Sequence, residues 1–190
     1  MNKKTRRLYA KLVILVLCLC IIIRIFTLVL SKYESESSAN ADVDIAFYLL
    51  KEDYKTMTLN LASLFPQDNA YVYTFSIGNE DGDKKAEIDL VYNLTLRTTT
   101  NLPLTYELYM NEEYTASGAQ NIILENTIGT DENGTYFRTM TTDPITLQYT
   151  NPTTNLYQLV VYFPSSYNTN NYQDIIEALE ITVHSEQVTS

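Results

Sequence analysis

Acidic side chains cluster around one turn of this chain and are the residues best suited to hold a metal ion. They are Glu80, Asp81, Asp83, Glu87 and Asp89. Oxygen ligands around a turn suit Ca²⁺ better than zinc. The segment lacks the glycine and the bidentate glutamate that complete an EF-hand loop. Two interpretations therefore stay open: a weak calcium site at Glu80, Asp81 and Asp83, or a solvated hairpin turn.

Catalytic constellations are missing from the sequence. His184 is the only histidine, and its alternation with Glu180 and Thr182 predicts a solvent-facing position on a strand. Both cysteines, Cys18 and Cys20, lie in an apolar segment near the N-terminus. The sequence contains neither a His-Glu-x-x-His motif, nor a Gly-rich phosphate loop, nor zinc-type Cys/His spacing. We therefore predict a protein that is not an enzyme and has no cofactor.

The elements that position these residues are predicted to be strands, because apolar and polar residues alternate over long stretches. One-sided burial of this kind is typical of antiparallel sheets. The turn sequences at 79–83 and 131–134 agree with hairpins. A short helix is predicted near residues 171–178. The predicted strands cover residues 43–49, 56–61, 71–77, 88–97, 104–110, 121–125, 135–140, 145–149, 157–163 and 179–183.

The N-terminus has the pattern of an export or anchoring signal. A basic tail over residues 1–11 precedes an apolar run over residues 12–30, which is long enough for one membrane-spanning helix. A polar spacer follows at 31–41, and the remaining residues, 42–190, form the predicted extracellular domain. The bases that would hold the tail in the cytoplasm are Lys3, Lys4, Arg6, Arg7 and Lys11.

The apolar run has two possible fates. As a retained anchor, it makes the protein a single-pass membrane protein with its C-terminal domain outside the cell. As a signal-peptide core, it is removed by a signal peptidase, and the Ala39-Asn40-Ala41 triplet predicts cleavage after Ala41. The mature protein is then secreted or part of a matrix.

Charge separates the two parts of the chain and excludes one class of partner. The net charge of the whole chain is −10. Residues 1–33 contain seven bases and no acid, so the remainder, with 6 bases and 23 acids, carries −17. Since phosphate binding needs clustered Lys and Arg, we predict no nucleic-acid partner.

Tyrosine is unusually abundant, with 16 copies and no tryptophan. Exposed rings at Tyr109, Tyr162, Tyr167 and Tyr172 would suit a sugar-stacking or protein-contacting surface. The alternative is that tyrosine occupies half-buried sheet positions, with its ring in the core and its hydroxyl in water.

Several short motifs resemble the TasA/camelysin family of exported Gram-positive surface and matrix proteins. They are IAFYL at 45–49, LNL at 59–61 leading to LFPQD at 64–68, YTFSIGN at 73–79, EIDLVY at 87–92 and LEITVHSEQ at 179–187. The chain departs from the family at Gln67, where Gly is usual, and in its leader, which is not rich in Ala and Gly.

The resemblance implies a jelly-roll fold, a location at the cell surface or in the matrix and, in some members, fibres assembled by strand donation. Related lineages often pair such a protein with a dedicated signal peptidase, which agrees with cleavage near Ala41, and camelysin-like proteins have been classed as metallopeptidases.

The predicted fold is therefore all-β: an antiparallel β-sandwich of jelly-roll type, preceded by one N-terminal hydrophobic helix. The predicted function is that of a non-enzymatic surface or exported structural or interaction protein, such as a matrix or fibre subunit or its accessory. Its predicted partners are the membrane through residues 12–30, itself or another surface protein by strand addition, and a signal peptidase if it is cleaved. The alternatives are a camelysin-like metallopeptidase and a Ca²⁺- or glycan-binding surface module.

Overall fold

A computed structural model describes residues 45–51, 53–61, 64–169, 172, 175 and 177–188. All of these belong to the second of two units into which the chain divides, Asn40–Ser190. The predicted tail, apolar run and spacer at 1–41 lie outside the described ranges. Within those ranges, no helix has the length and apolar character needed to cross a membrane.

The described part of the chain is almost entirely β-structure, as the alternating sequence pattern predicts. It forms twelve strands and a 3₁₀ turn at Ser165–Tyr167. The strands are β1 Ile45–Tyr48, β2 Asp53–Asn60, β3 Tyr71–Gly78, β4 Glu80–Asp81, β5 Lys84–Lys85, β6 Leu90–Thr99, β7 Thr105–Met110, β8 Ile123–Thr130, β9 Tyr136–Thr142, β10 Ile145–Leu147, β11 Thr154–Tyr162 and β12 Ala178–Gln187.

These strands form two large sheets and one small hairpin. The four-stranded sheet has the order β1-β3-β11-β7, and the six-stranded sheet has the order β2-β12-β6-β9-β8, with β10 also paired to β6. The hairpin consists of β4 and β5. Antiparallel pairing dominates, as predicted, but β1 runs parallel to β3. The prediction of antiparallel pairing is wrong for this pair, because the intervening β2 lies in the other sheet and the chain reverses direction twice.

The core lies between the buried faces of the two large sheets. Strand β6 alternates buried and half-buried residues over most of its length, and β3 does the same. Buried side chains of β6 and β11 meet directly, since the hydroxyl oxygens of Tyr92 and Tyr157 lie 2.6 Å apart. The arrangement is therefore sandwich-like, with an aliphatic and aromatic interior.

Some predicted boundaries differ from the observed ones. The strand expected at 121–125 is β8, which continues to Thr130. The helix expected near 171–178 falls mostly on residues outside the described part, and Ala178 begins β12. Polar groups close this end of the core, where Glu177 is fully buried and its Oε1 accepts a hydrogen bond of 2.8 Å from the Thr98 hydroxyl.

Candidate functional site

The most unusual feature of the surface is the outer ribbon, which we define as β8, β9 and the turn between them. Every residue of β8 after Ile123 is exposed, whichever face of the strand it lies on. Strands in a two-sheet protein normally bury one face. Strand β8 therefore contributes little to the core.

A tight turn holds the two strands of the ribbon together. The Asp131 carboxylate accepts hydrogen bonds from the backbone N–H groups of Asn133, at 2.9 Å, and Thr135, at 2.8 Å. Gly134 adopts a φ of 80°, which glycine accepts without steric cost. The predicted turn at 131–134 is thus confirmed, and it aligns Thr130 with Tyr136.

The backbone of β8 presents an open edge. The Asp131 N–H donates to the Thr135 carbonyl at 3.0 Å. Because hydrogen-bonded pairs alternate in an antiparallel ladder, the N–H and C=O groups of Gly129 and Thr127 also point toward β9. By the same alternation, the N–H and C=O groups of Asn126, Ile128 and Thr130 point away from β9. Among the described strands, none pairs with this side of β8.

The open edge begins where the chain leaves the other sheet. Just before β8, the Ile122 N–H donates to the Leu108 carbonyl of β7 at 2.8 Å. The Asn121 side chain accepts a 3.0 Å hydrogen bond from the Leu108 N–H. A register irregularity between Ile123 and Glu125 then carries β8 into the six-stranded sheet. The chain therefore crosses from one sheet edge to the other within a few residues.

Apolar side chains lie exposed along the ribbon. Leu124, Ile128 and Tyr136 are 63%, 57% and 60% exposed. Ile128 lies on the same face of the ribbon as the buried Met140. This face is covered by the core at Met140 and is exposed to solvent at Ile128. A cavity of about 320 Å³ opens at the base of the ribbon, lined by residues that include Met110, Leu124 and Ile145.

The opposite face of the ribbon carries an aromatic and cationic pair. The guanidinium carbon of Arg97 lies 4.1 Å from the centre of the Phe137 ring. Phe137 pairs with Gly129 across the ribbon. On the Ile128 face, Arg138 donates a 2.9 Å hydrogen bond to the Asn126 side chain. The ribbon therefore combines apolar surface with Arg138, and Arg97 of the neighbouring β6 lies against it.

The predicted calcium residues lie on the β4–β5 hairpin. Glu80 pairs with Lys85, and Asp81 pairs with Lys84. Gly82 has a φ of 60° and forms the turn before Asp83. In the described ranges, no three His, Cys, Asp or Glu side chains are grouped to hold a metal ion. The calcium site stays a prediction, which a Ca²⁺ titration of the melting temperature would test.

His184 occupies the predicted position on a strand. It lies in β12 between Tyr54 of β2 and Asn93 of β6, and its side chain is 45% exposed. Its Nε2 lies 3.7 Å from Oε1 of Glu186. The centre of its ring lies 6.0 Å from that of Tyr54.

The predicted tyrosine surface is only partly formed. Tyr109 is only 8% exposed, so the prediction of an exposed ring there is wrong. Its hydroxyl and that of Tyr162 each donate a 2.9 Å hydrogen bond to Oε2 of Glu107, which ties the rings to the sheet. Partial burial, followed by the Glu107 carboxylate, raises the pKa of Tyr162 to about 12. Tyr167 is 39% exposed, and the centre of its ring lies 5.9 Å from that of Tyr172.

The remaining predicted site residues cannot be placed in the fold. The topology residues Lys3, Lys4, Arg6, Arg7 and Lys11 and the processing residues Ala39 and Ala41 lie outside the described ranges. The predictions of membrane anchoring and of cleavage after Ala41 therefore stay predictions.

Comparison with known proteins identifies no family. No family model matches the chain, and neither does any curated protein. A search of solved structures finds the pre-peptidase C-terminal domain of a collagenase from Bacillus anthracis. It is 14% identical, with 74% of this chain and 95% of that chain covered and a TM-score of 0.30.

A second solved structure is CorA, a surface-associated copper-binding protein of Methylomicrobium album BG8. It is 11% identical, with 78% of this chain and 99% of that chain covered and a TM-score of 0.27. Likenesses this remote carry no argument about function. The resemblance to TasA and camelysin stays a prediction from the short motifs.

The outer ribbon does not follow from the sequence as a site. The strand predicted at 121–125 stops short of Ile128 and Gly129, which belong to β8. The available signal was the stretch Glu125–Thr130, in which three β-branched residues favour a strand and only one large apolar residue is available for a core. Such a strand is expected to lie at an edge.

Proposed function

We propose that this protein is a non-enzymatic surface or exported structural protein that binds its partner by strand addition at the outer edge of β8. It is anchored by residues 12–30 or released by cleavage after Ala41. Its role is that of a matrix or fibre subunit or an accessory to one, in line with the resemblance to TasA and camelysin.

The order of the strands supports a jelly-roll fold for the domain. A jelly roll joins two four-stranded sheets through two Greek keys. One sheet of the chain contains β2-β12-β6-β9 in that order, and the other contains β3-β11-β7. The eighth strand is β8, which first contacts β7 at Leu108 and then pairs with β9. Because β8 pairs with β9 and not with β7 over its length, the β7 edge of the four-stranded sheet is partly open beyond this contact.

The observation that carries the proposal is that β8 is exposed on both faces and open along one edge. Open edges of this kind readily pair with another chain, and native proteins normally protect them with lysine, proline or a cover. Strand β8 contains neither lysine nor proline. Main-chain hydrogen bonds along such an edge provide affinity, while the side chains on both faces provide specificity.

The proposal is tested by cross-linking on intact cells. The full chain should form cross-linked species larger than the monomer, which an Ile128→Pro variant loses. Proline at this position removes an N–H that points away from β9, so the pairing with β9 survives. Thr58→Pro, at an exposed position of β2 on the opposite edge of the same sheet, is the matched control, because its N–H points away from β12. Identical cross-linking by wild type and Ile128→Pro would contradict the proposal.

Sequencing the N-terminus of the protein from its host tests the location. A protein that begins at Asp42 is a processed, released form, and one that retains Met1 is anchored. Degradation of the exported domain by an added protease on intact cells is expected in the anchored case. Protection from the protease would contradict an extracellular location.

A further inference from the structure

Gly129 has no evident role in the fold of a single chain. It lies in the interior of β8, where glycine weakens a strand because it lacks a side chain to pack. Its φ is not among the positive values, so the backbone does not require glycine. A Cβ atom added there would meet nothing within 4 Å. Glycine in a strand often marks the close approach of a second backbone.

We infer that the partner of the outer edge is a second copy of this chain, whose β8 pairs antiparallel with the first about a two-fold axis at Thr127. This inference rests on the proposed function and names its partner. The two six-stranded sheets then become one continuous sheet across the dimer. The contact is isologous, because the same surface serves both copies.

The register follows from which backbone groups are free. Asn126, Ile128 and Thr130 present outward N–H and C=O groups, so these residues must form the hydrogen-bonded pairs between the copies. Placing Asn126 opposite Ile128 of the second copy brings Thr127 opposite Thr127 and Glu125 opposite Gly129. Threonine pairs across strands are favourable.

The neighbouring registers are worse. Sliding one copy so that Ile128 faces Ile128 places Glu125 opposite Asp131, and like charges facing each other destabilise a sheet. Sliding it the other way, so that Asn126 faces Asn126, places Thr130 opposite Ile122. The Ile122 N–H would then have to bond to the second copy. That N–H already donates to the Leu108 carbonyl. The Thr127-centred register avoids both conflicts.

Gly129 gains a function in this arrangement. It leaves a gap through which the carboxylate of Glu125 from the second copy extends toward Phe137, the strand neighbour of Gly129. Arg97 already lies over the Phe137 ring, with its guanidinium carbon 4.1 Å from the ring centre. The Glu125 carboxylate of one copy and the Arg97 guanidinium of the other thus lie on the same face of the joined sheet. The two-fold axis repeats this pair at the other end of the interface.

The charge distribution also favours this edge. The chain beyond residue 33 carries −17, so two copies repel over most of their surfaces. Arg97 and Arg138 are its two arginines, and both lie at the outer ribbon. Glu125 is the single charged residue of β8. The two arginines offset the charge of Glu125, so two copies approach along β8 with less repulsion than the net charge of −17 alone would give.

Site-directed disulfide cross-linking tests the register in the full chain. In a Cys18→Ser, Cys20→Ser background, Thr127→Cys should shift most of the protein on membranes to twice the monomer mass under oxidising conditions. The matched control is Thr135→Cys, which lies on the same ribbon, is also exposed and is outside the edge. Glu125→Cys and Gly129→Cys should cross-link when co-expressed and stay monomeric when expressed alone.

A dimer yield from Thr127→Cys no higher than that from Thr135→Cys overturns the inference, and so does self-cross-linking of Glu125→Cys. Adding Ile128→Lys to Thr127→Cys should abolish the disulfide dimer, since an edge lysine blocks strand pairing. If Thr127→Cys stays monomeric while Ile128→Pro still removes the cross-linked species on cells, the second copy is the wrong partner but strand addition stands. If Ile128→Pro changes nothing, both proposals fail.

Discussion

The hydroxyl oxygens of Tyr92 and Tyr157 lie 2.6 Å apart and join the buried faces of the two large sheets. The Asn155 side chain donates to the Tyr92 oxygen at 2.8 Å, and the Tyr157 hydroxyl donates to the Met110 sulfur at 3.3 Å. This chain of hydrogen bonds satisfies polar groups that burial would otherwise leave without partners. Because the Tyr92 oxygen accepts from Asn155 and the Tyr157 hydroxyl donates to Met110, the bond between the two tyrosines has Tyr92 as its donor.

Replacing Tyr92 with Phe is expected to destabilise the domain. The change leaves the Asn155 amide without one of its acceptors and the Tyr157 oxygen without a donor, which costs about 1–3 kcal/mol. Urea unfolding of both proteins measures the difference in unfolding free energy. Tyr149→Phe, at a residue that is 48% exposed, is the control and should change it by less than about 0.5 kcal/mol. Equal effects would contradict a structural role for the buried pair.

Stability is expected to fall at alkaline pH because buried tyrosines resist ionisation. Burial, followed by the nearby Tyr71, raises the pKa of Tyr73 to about 12. An unfolded tyrosine has a pKa of about 10. The folded state therefore retains a proton that the unfolded state loses. The stabilisation from Tyr73 is fully present below about pH 10 and is lost as the pH rises through about 12.

At about 1.4 kcal/mol per pKa unit, Tyr73 accounts for roughly 2–3 kcal/mol of this loss. Urea midpoints between about pH 9 and pH 12 should fall steadily. In Tyr73→Phe the decline should be shallower, because one of the ionising groups is gone. An identical pH dependence in the two proteins would be evidence against this assignment.

Two glycines in strands are expected to respond oppositely to alanine. A Cβ atom at Gly78 would lie 2.7 Å from the Thr154 hydroxyl oxygen and 3.4 Å from the Thr153 carbonyl oxygen. Gly78→Ala should therefore destabilise the domain by about 1–3 kcal/mol through overpacking. Gly129→Ala meets open space and should stabilise the single chain by up to about 1 kcal/mol. Thermal melts of both variants under monomeric conditions provide the comparison, and destabilisation by Gly129→Ala would be unexpected.

The turn of the outer ribbon is expected to depend on Asp131. Asp131→Ala removes the acceptor of two backbone hydrogen bonds and should loosen the turn by about 1–2 kcal/mol. Hydrogen exchange of the Thr135 amide should accelerate while that of core strands such as β6 stays unchanged. Asp143→Ala, an exposed acid beyond the end of β9, is the control. Unchanged exchange at Thr135 would show that the carboxylate does not hold the turn.

Much of the fold follows from the sequence because strand formation depends on local alternation. Leu90, Tyr92, Leu94 and Leu96 are all buried, as their period of two predicts. The turn at Asp131 also follows from local chemistry. The parallel pairing of β1 with β3 could not be predicted, because it depends on the sheet that receives the strand between them.

Residue types and their spacing by themselves determined an all-β domain, the alternating burial along strands such as β6, the acidity of the chain beyond residue 33 and the position of His184 on a strand. The tertiary structure decided the rest. Tyr109 is buried, with its hydroxyl bonded to Glu107 and the centre of its ring 6.5 Å from that of Tyr114. Strand β8 is exposed because it pairs with β9 at the edge of the six-stranded sheet. The physical reason is the range of the interactions. Alternation depends on residues that are adjacent in the sequence, whereas an open edge depends on how strands that are distant in the sequence pair with one another.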